Sequence, residues 1–202
     1  MTLRSRDAQL VQIVDAAVAE ASRRSGTWLH CAPGCTQCCV GVFAISQLDA
    51  ARLRAGLAEL ETADPGRAAA VRRRAEDSAA RLSAELPAGV RVDRFEEIPA
   101  ELLEDFGNEE ACPALDPATG LCDLYAARPI TCRVFGLPLR VDGGLGVCEL
   151  CFRGASPEEI AACELQTGAD ALEAELTEEE EKAGGQPGHT IVAWALIPGA
   201  HA

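Results

Sequence analysis

Nine of the ten cysteines in this 202-residue chain fall into three groups, and any fold the chain adopts must accommodate them. The first group is Cys31-x3-Cys35-x2-Cys38-Cys39. The second is Cys112, Cys122 and Cys132, with nine residues between neighbours. The third is Cys148-x2-Cys151. Two intervening residues let one tight turn aim both sulfurs at a single ion, while backbone amides donate to the thiolates. Adjacent Cys38 and Cys39 fit one mononuclear site poorly, because neighbouring side chains diverge in extended chain. Nine thiols would fill two tetrahedral zinc sites with one left over, or a single multinuclear site. The spacing suits zinc and iron alike, including an iron–sulfur cluster, since both accept four thiolates.

Compartment decides between metal ligation and disulfides. The opening residues lack a basic region followed by a purely apolar stretch, because Asp7, Gln9, Gln12 and Asp15 interrupt it. The longest apolar run, 191–197, is too short to cross a bilayer. A cytoplasmic location is therefore expected, where thiols stay reduced and clustered cysteines serve as metal ligands. Only 4% of residues are aromatic, so a metal staple would supplement a core poor in large side chains. The net charge is −14, and residues 96–202 carry −16 of it against +2 for 1–95. Such a half repels phosphate, so metal ions are the expected partners, with neither nucleic acid nor membrane.

The periodicity between the clusters is helical. Leu10, Ile13, Val14, Ala17, Val18 and Ala21 predict an amphipathic helix over 7–24 that ends at Gly26. Ser46 with Asp49 predicts a second helix start, and Asp64-Pro65 a third. Residues 46–60 and 64–86 thus read as a helical hairpin inserted between two cysteine groups. A short helix is expected over 99–106. Asp142-Gly143 marks a β-hairpin turn, and Ser156-Pro157-Glu158-Glu159 a capping box that opens a C-terminal helix. Residues 184–189 read as a linker, and 190–197 as an edge strand or a packing segment. The expectation is a single mainly α domain over 1–202. Its helices pack around an irregular cysteine-rich centre at 31–152, with the insert 46–86, one or two short β-hairpins and a tail at 184–202.

Two further runs stand out: Cys112-Pro113-Ala114-Leu115, and Cys122-Asp123-Leu124-Tyr125-Ala126-Ala127-Arg128-Pro129-Ile130-Thr131-Cys132-Arg133-Val134-Phe135. With the first cysteine group, they resemble the signature of the YkgJ family, the CxxCxxCC zinc- or iron-chelating domain. The resemblance implies metal chelation through Cys31, Cys35, Cys38, Cys39, Cys112, Cys122, Cys132, Cys148 and Cys151. Three residues rather than two separate Cys31 from Cys35, so Cys31 is expected to be the spare thiol of a two-site arrangement. The same reasoning expects Cys35, Cys38, Cys122 and Cys132 to converge.

Tyr125, Arg128 and Arg133 are candidates to support the sulfurs from behind, the two arginines offsetting the charge of four thiolates on one ion. Arg128-Pro129 also marks the start of a short helix, and Phe135 reads as core. Cys163 stands outside every group and reads as a buried thiol, His30 as a loop residue beside Cys31, and His189 and His201 as tail. No Gly-x-Ser-x-Gly, His-Glu-x-x-His or dinucleotide motif occurs, so any catalysis would come from a metal centre. Two functions lead, ahead of a metal-delivery or storage protein, which would need exchangeable sites. One is a chelating module that holds zinc or iron. The other is an iron–sulfur protein in electron transfer, or part of a redox or methyl-transfer enzyme.

Overall fold

The computed structural model describes residues 1–87, 94–141, 143–184 and 186–197. Helix predominates, and the strands form short two-stranded antiparallel pairs. The chain sorts into two compact units. One joins Met1–Pro33 to Ile130–Leu176, and the other joins Gly34–Pro129 to Thr177–Ala202. Among the described residues no helix is long and apolar enough to cross a membrane.

The first unit is built on α1 (Leu3–Ser25). The helix begins earlier than its apolar stripe because Thr2 caps it, its hydroxyl accepting from the Ser5 amide at 3.2 Å. It ends as expected at Gly26, whose positive φ of 50° lets its amide turn back to Ser22. Leu10, Val14 and Ala21 are fully buried on one face. A short helix α4 (Ile130–Val134), starting directly after Pro129, packs against α1. The expected hairpin is present, with Leu139–Val141 pairing Gly144–Gly146; Asp142 lies outside the described residues.

The capping box also forms. The Ser156 hydroxyl accepts from the Glu159 amide, and the Glu159 carboxylate accepts from the Ser156 amide. The helix it opens, α5 (Pro157–Ala162), is shorter than expected. It stops at buried Cys163 and helix resumes only at α6 (Asp170–Gly184), after Gly168 in the left-handed region. Phe135 departs from expectation, being 41% exposed. The chain reverses at Gly136, and Val134 and Leu137 on either side take the buried positions instead.

The second unit contains the expected helical hairpin. Ser46 caps α2 (Gln47–Ala63) and Asp64 caps α3 (Pro65–Glu85), with Pro65 in its first turn. Along α3 the buried positions are Ala68, Val71, Ala75, Ser78 and Leu82, an alternation of three and four that forms one seam. Leu48, Leu53 and Leu57 of α2 are buried as well. Burying each such leucine stabilises by about 1.5–3 kcal/mol. The segment after 189 is a packing segment: α7 (Val192–Ala195) contacts α2 and α3. Before it, His189–Thr190 pairs with Ile45–Ser46.

At 188–189 the segment expected as a linker is tethered. Gly188 donates to Glu181 at 2.9 Å, and the His189 amide donates to Glu96 at 2.9 Å. Gly185 and 198–202, with His201, lie outside the described residues. The helix expected over 99–106 is not formed. Three-residue turns replace it, with Leu102 donating to Pro99 and Asp105 to Leu102. Only Phe106 is fully buried there, against Trp194, so no apolar stripe holds a regular helix in place.

Candidate metal centres

Hydrogen bonding in the second unit brings its cysteine segments together. Residues 37–39 form one 3-10 turn. The Cys112 amide donates to the Cys39 carbonyl at 2.8 Å, and the Gly41 amide to the Glu110 carbonyl at 2.9 Å. These bonds lay the first cysteine group along 110–112. The two-residue strands Leu115–Asp116 and Leu121–Cys122 then pair, with Leu115 opposite Cys122, and the Asp123 amide donates to Ala114 at 2.7 Å. Cys38, Cys39, Cys112 and Cys122 thereby become electrostatic neighbours.

The sulfurs show that proximity in their acidity. A hydrogen bond with Cys39 lowers Cys38 to about 6 against the opposing effect of burial, helped by its own amide and the Arg128 guanidinium. That hydrogen bond, burial and the charges of Cys38, Cys112 and Cys122 push Cys39 up instead. Burial pushes Cys112 up to about 12 against the lowering effect of the nearby Ala114 and Leu115 amides, the latter bonded to the Cys112 carbonyl at 2.9 Å. Burial also raises Cys122, which receives the Leu124 amide. Arg128 stacks on Tyr125, its guanidinium carbon 3.8 Å from the ring centre, and its charge favours the thiolates of both Cys38 and Cys122. Tyr125 is 63% exposed. Cys35 belongs to this unit too, following Gly34.

The first unit holds Cys31, Cys132, Cys148, Cys151 and Cys163. Cys148 and Cys151 sit on one turn, closed by the Cys151 amide on the Cys148 carbonyl at 2.9 Å. The Leu150 amide donates to the Cys148 sulfur at 3.5 Å, and the His30 amide to the Cys151 sulfur at 3.4 Å. Burial raises Cys148. The turn leads into Phe152, a buried residue with φ of +56°, whose amide donates to Trp28 at 2.9 Å. A bulky residue in that region costs about 1–3 kcal/mol, which the surrounding contacts must offset.

Cys31 reaches this turn. A Cβ at Gly136 would collide with its sulfur and would lie 3.8 Å from the sulfur of Cys151. The bare glycine thus leaves a cradle that two sulfurs share. Cys132 is on α4, just before this glycine. Its neighbour Arg133 is buried, with Nη1 at 2.9 Å from both oxygens of Asp15 on α1. His30 directs Nδ1 toward the Trp28 carbonyl at 3.4 Å. Cys163 is buried in one apolar cluster with Phe152 and the two cysteines of this turn, Cys148 and Cys151.

Of the four cysteines expected to converge, Cys35, Cys38 and Cys122 belong to the second unit and Cys132 to the first. Among the described residues, no group of three His, Cys, Asp or Glu side chains is already drawn into ligating geometry. The donor chemistry nevertheless fits a thiophilic ion. The amide two residues on donates to the sulfur at Cys148, and nearby amides favour the thiolates of Cys112 and Cys122 against burial.

Sequence reading missed Gly136, Asp15 and the helix-to-loop pairs made by Asp123. Only the glycine beside the last motif residue offered a local signal. A family model described as "CxxCxxCC: Putative zinc- or iron-chelating domain" matches residues 30–149. No curated protein and no solved structure matches the chain.

Proposed function

The chain belongs to the CxxCxxCC family of zinc- or iron-chelating domains, and from that premise we propose that it binds the metal in two thiolate centres, one within each unit. The observation that carries this reading is the pairing within each unit: Cys112 bonded to Cys39 and Leu115 opposite Cys122 in one, and the Cys31 and Cys151 sulfurs sharing the space beside Gly136 in the other. The amides that donate to the Cys148 and Cys151 sulfurs offset thiolate charge there, as metal-binding turns require. Cys38, Cys39, Cys112 and Cys122 form the centre of the second unit, the two adjacent cysteines being carried on a 3-10 turn rather than the extended chain in which their side chains would diverge, with Arg128 balancing its charge and Tyr125 supporting Arg128. Cys31, Cys148 and Cys151 form the other around Gly136, with Cys132 as fourth ligand and Arg133 holding α4 in place.

Under this assignment Cys31 is a ligand and Cys35 is the spare thiol. Clustered cysteines serving as metal ligands fit a compartment such as the cytoplasm, where thiols stay reduced. Zinc would supply a cross-link without redox chemistry. An iron–sulfur cluster on the same donors would serve electron transfer, or a redox or methyl-transfer enzyme.

Metal-to-protein ratios of purified variants test the assignment. Cys38→Ser or Cys122→Ser loses the metal of one centre and keeps the other, and so does Cys148→Ser or Cys151→Ser. A serine hydroxyl is a poor substitute for thiolate at a soft metal. Combining Cys38→Ser with Cys148→Ser removes both centres, whereas Cys35→Ser and Cys163→Ser keep full content. Full metal in the combined variant overturns the proposal.

A further inference from the structure

Helix α3 presents Arg67, Arg74 and Arg81 at intervals of seven residues, two helical turns apart and therefore on one face. All three grip the loop that carries Cys112 and Cys122. Arg81 makes a forked pair with Glu110, at 2.6 and 3.0 Å. Arg74 donates from Nε to the Pro113 carbonyl at 2.8 Å and from Nη2 to Asp123 Oδ2 at 2.6 Å. Arg67 donates to the other oxygen, Oδ1, from Nη2 at 2.6 Å and from Nε at 3.0 Å. The Asp123 side chain is only 4% exposed. Its two oxygens are thus divided between two guanidiniums on one rigid helix.

We propose that Asp123, held by Arg67 and Arg74, is a positioning residue that fixes the Cys122 and Cys112 sulfurs for metal capture, the helical insert acting as the frame of the centre. This rests on the thiolate centre assigned above to the second unit. Asp123 directly follows Cys122, and Pro113 directly follows Cys112, so Arg74 alone ties both ligand-bearing backbones to one point of α3. Arg–carboxylate forks carry directional as well as electrostatic information, and a lysine cannot reproduce both contacts of Arg74. The first unit repeats the logic: Arg133 follows Cys132, is buried, and pairs with Asp15 of α1.

The test uses Co2+ as a spectroscopic probe on the full chain, freed of metal and kept reduced. The charge-transfer and d–d bands report how many thiolates bind and how symmetrically. The variants are Asp123→Asn, Arg74→Ala, Arg74→Lys and Arg67→Gln, with Arg72→Ala as the control that removes an arginine of α3 paired outside the loop, with Glu61. Asp123→Asn and Arg74→Ala should weaken one of the two Co2+-binding phases at least tenfold and alter its d–d bands, leaving the other phase unchanged. Arg74→Lys should recover part of that loss, and Arg72→Ala should match the parent chain.

If Asp123→Asn does not fold, Arg67→Gln and Arg74→Lys decide the matter, each by a graded loss confined to the same phase. Unchanged affinity and bands in every folded variant overturn the inference and leave the chelating function standing. A parent chain that binds no Co2+, Zn2+ or Fe2+ overturns the chelating function itself.

Discussion

Gly136 shows how one residue can set a site. Its φ of +97° lies where side chains are strained, and a Cβ would occupy the space between the Cys31 and Cys151 sulfurs. Gly136→Ala should therefore destabilise the chain by about 1–3 kcal/mol. It should also lower metal content at the first unit's centre alone, as read by urea midpoints and elemental analysis. A variant of parental stability and full metal content would contradict the cradle. The family was legible because the residue type and spacing of the cysteines carry its signature. Which sulfurs lie near one another was not, since the approach of Cys31 and Cys151 depends on a turn at Gly136, more than a hundred residues after Cys31. Phe135 was misread for a related reason: its apolar character says nothing of the chain reversal that follows it.

The helical hairpin shows how far element-scale signals reach. Ser46, Asp64-Pro65 and Ser156 marked three helix starts correctly, because caps act through bonds within one turn of the chain. The turn at 99–106 and the break after Cys163 were not readable, because both depend on what the segment packs against. Gly56 in the middle of α2 is a test of packing over propensity. A Cβ there would collide with that of Ala127, in the turn that leads to Arg128. Alanine gains about 1 kcal/mol of helix propensity, but overpacking costs about 1–3 kcal/mol. Gly56→Ala should thus lower the urea midpoint; a raised midpoint would show the contact to be loose.

The Arg81–Glu110 pair makes a prediction about pH. The hydrogen bond from Arg81 holds the Glu110 carboxyl below its ordinary value, against partial burial. A depressed carboxylate contributes stability that is fully present above its unfolded-state value and is lost as pH falls through the folded-state value. The parent chain should therefore exceed Arg81→Ala in stability at pH 6, with the gap closing as the solution is taken below the usual glutamate range. A gap that stays constant into acid would assign the effect of Arg81 to packing.

At the scale of the whole molecule, two compact units each hold five cysteines, and under the proposed assignment the metal adds stability that packing alone does not supply. Structural zinc contributes about 10–16 kcal/mol in small domains, as much as the whole net stability of a typical fold, about 5–15 kcal/mol. Long helices α1, α2 and α3 have their own capped ends and buried faces. The cysteine loops have two-residue strands and short turns, so under the proposed assignment they should depend most on the ions. The measurement that tests this most directly is metal content by elemental analysis, with the visible spectrum, on chain purified without oxygen, alongside thiol alkylation before and after chelator. Zinc or iron should copurify at a constant whole-number ratio, colourless for zinc and absorbing for an iron–sulfur cluster, with the ligand thiols shielded until chelator is added. Metal-free chain whose thiols all react at once, and which takes up neither ion on reconstitution, would contradict the account.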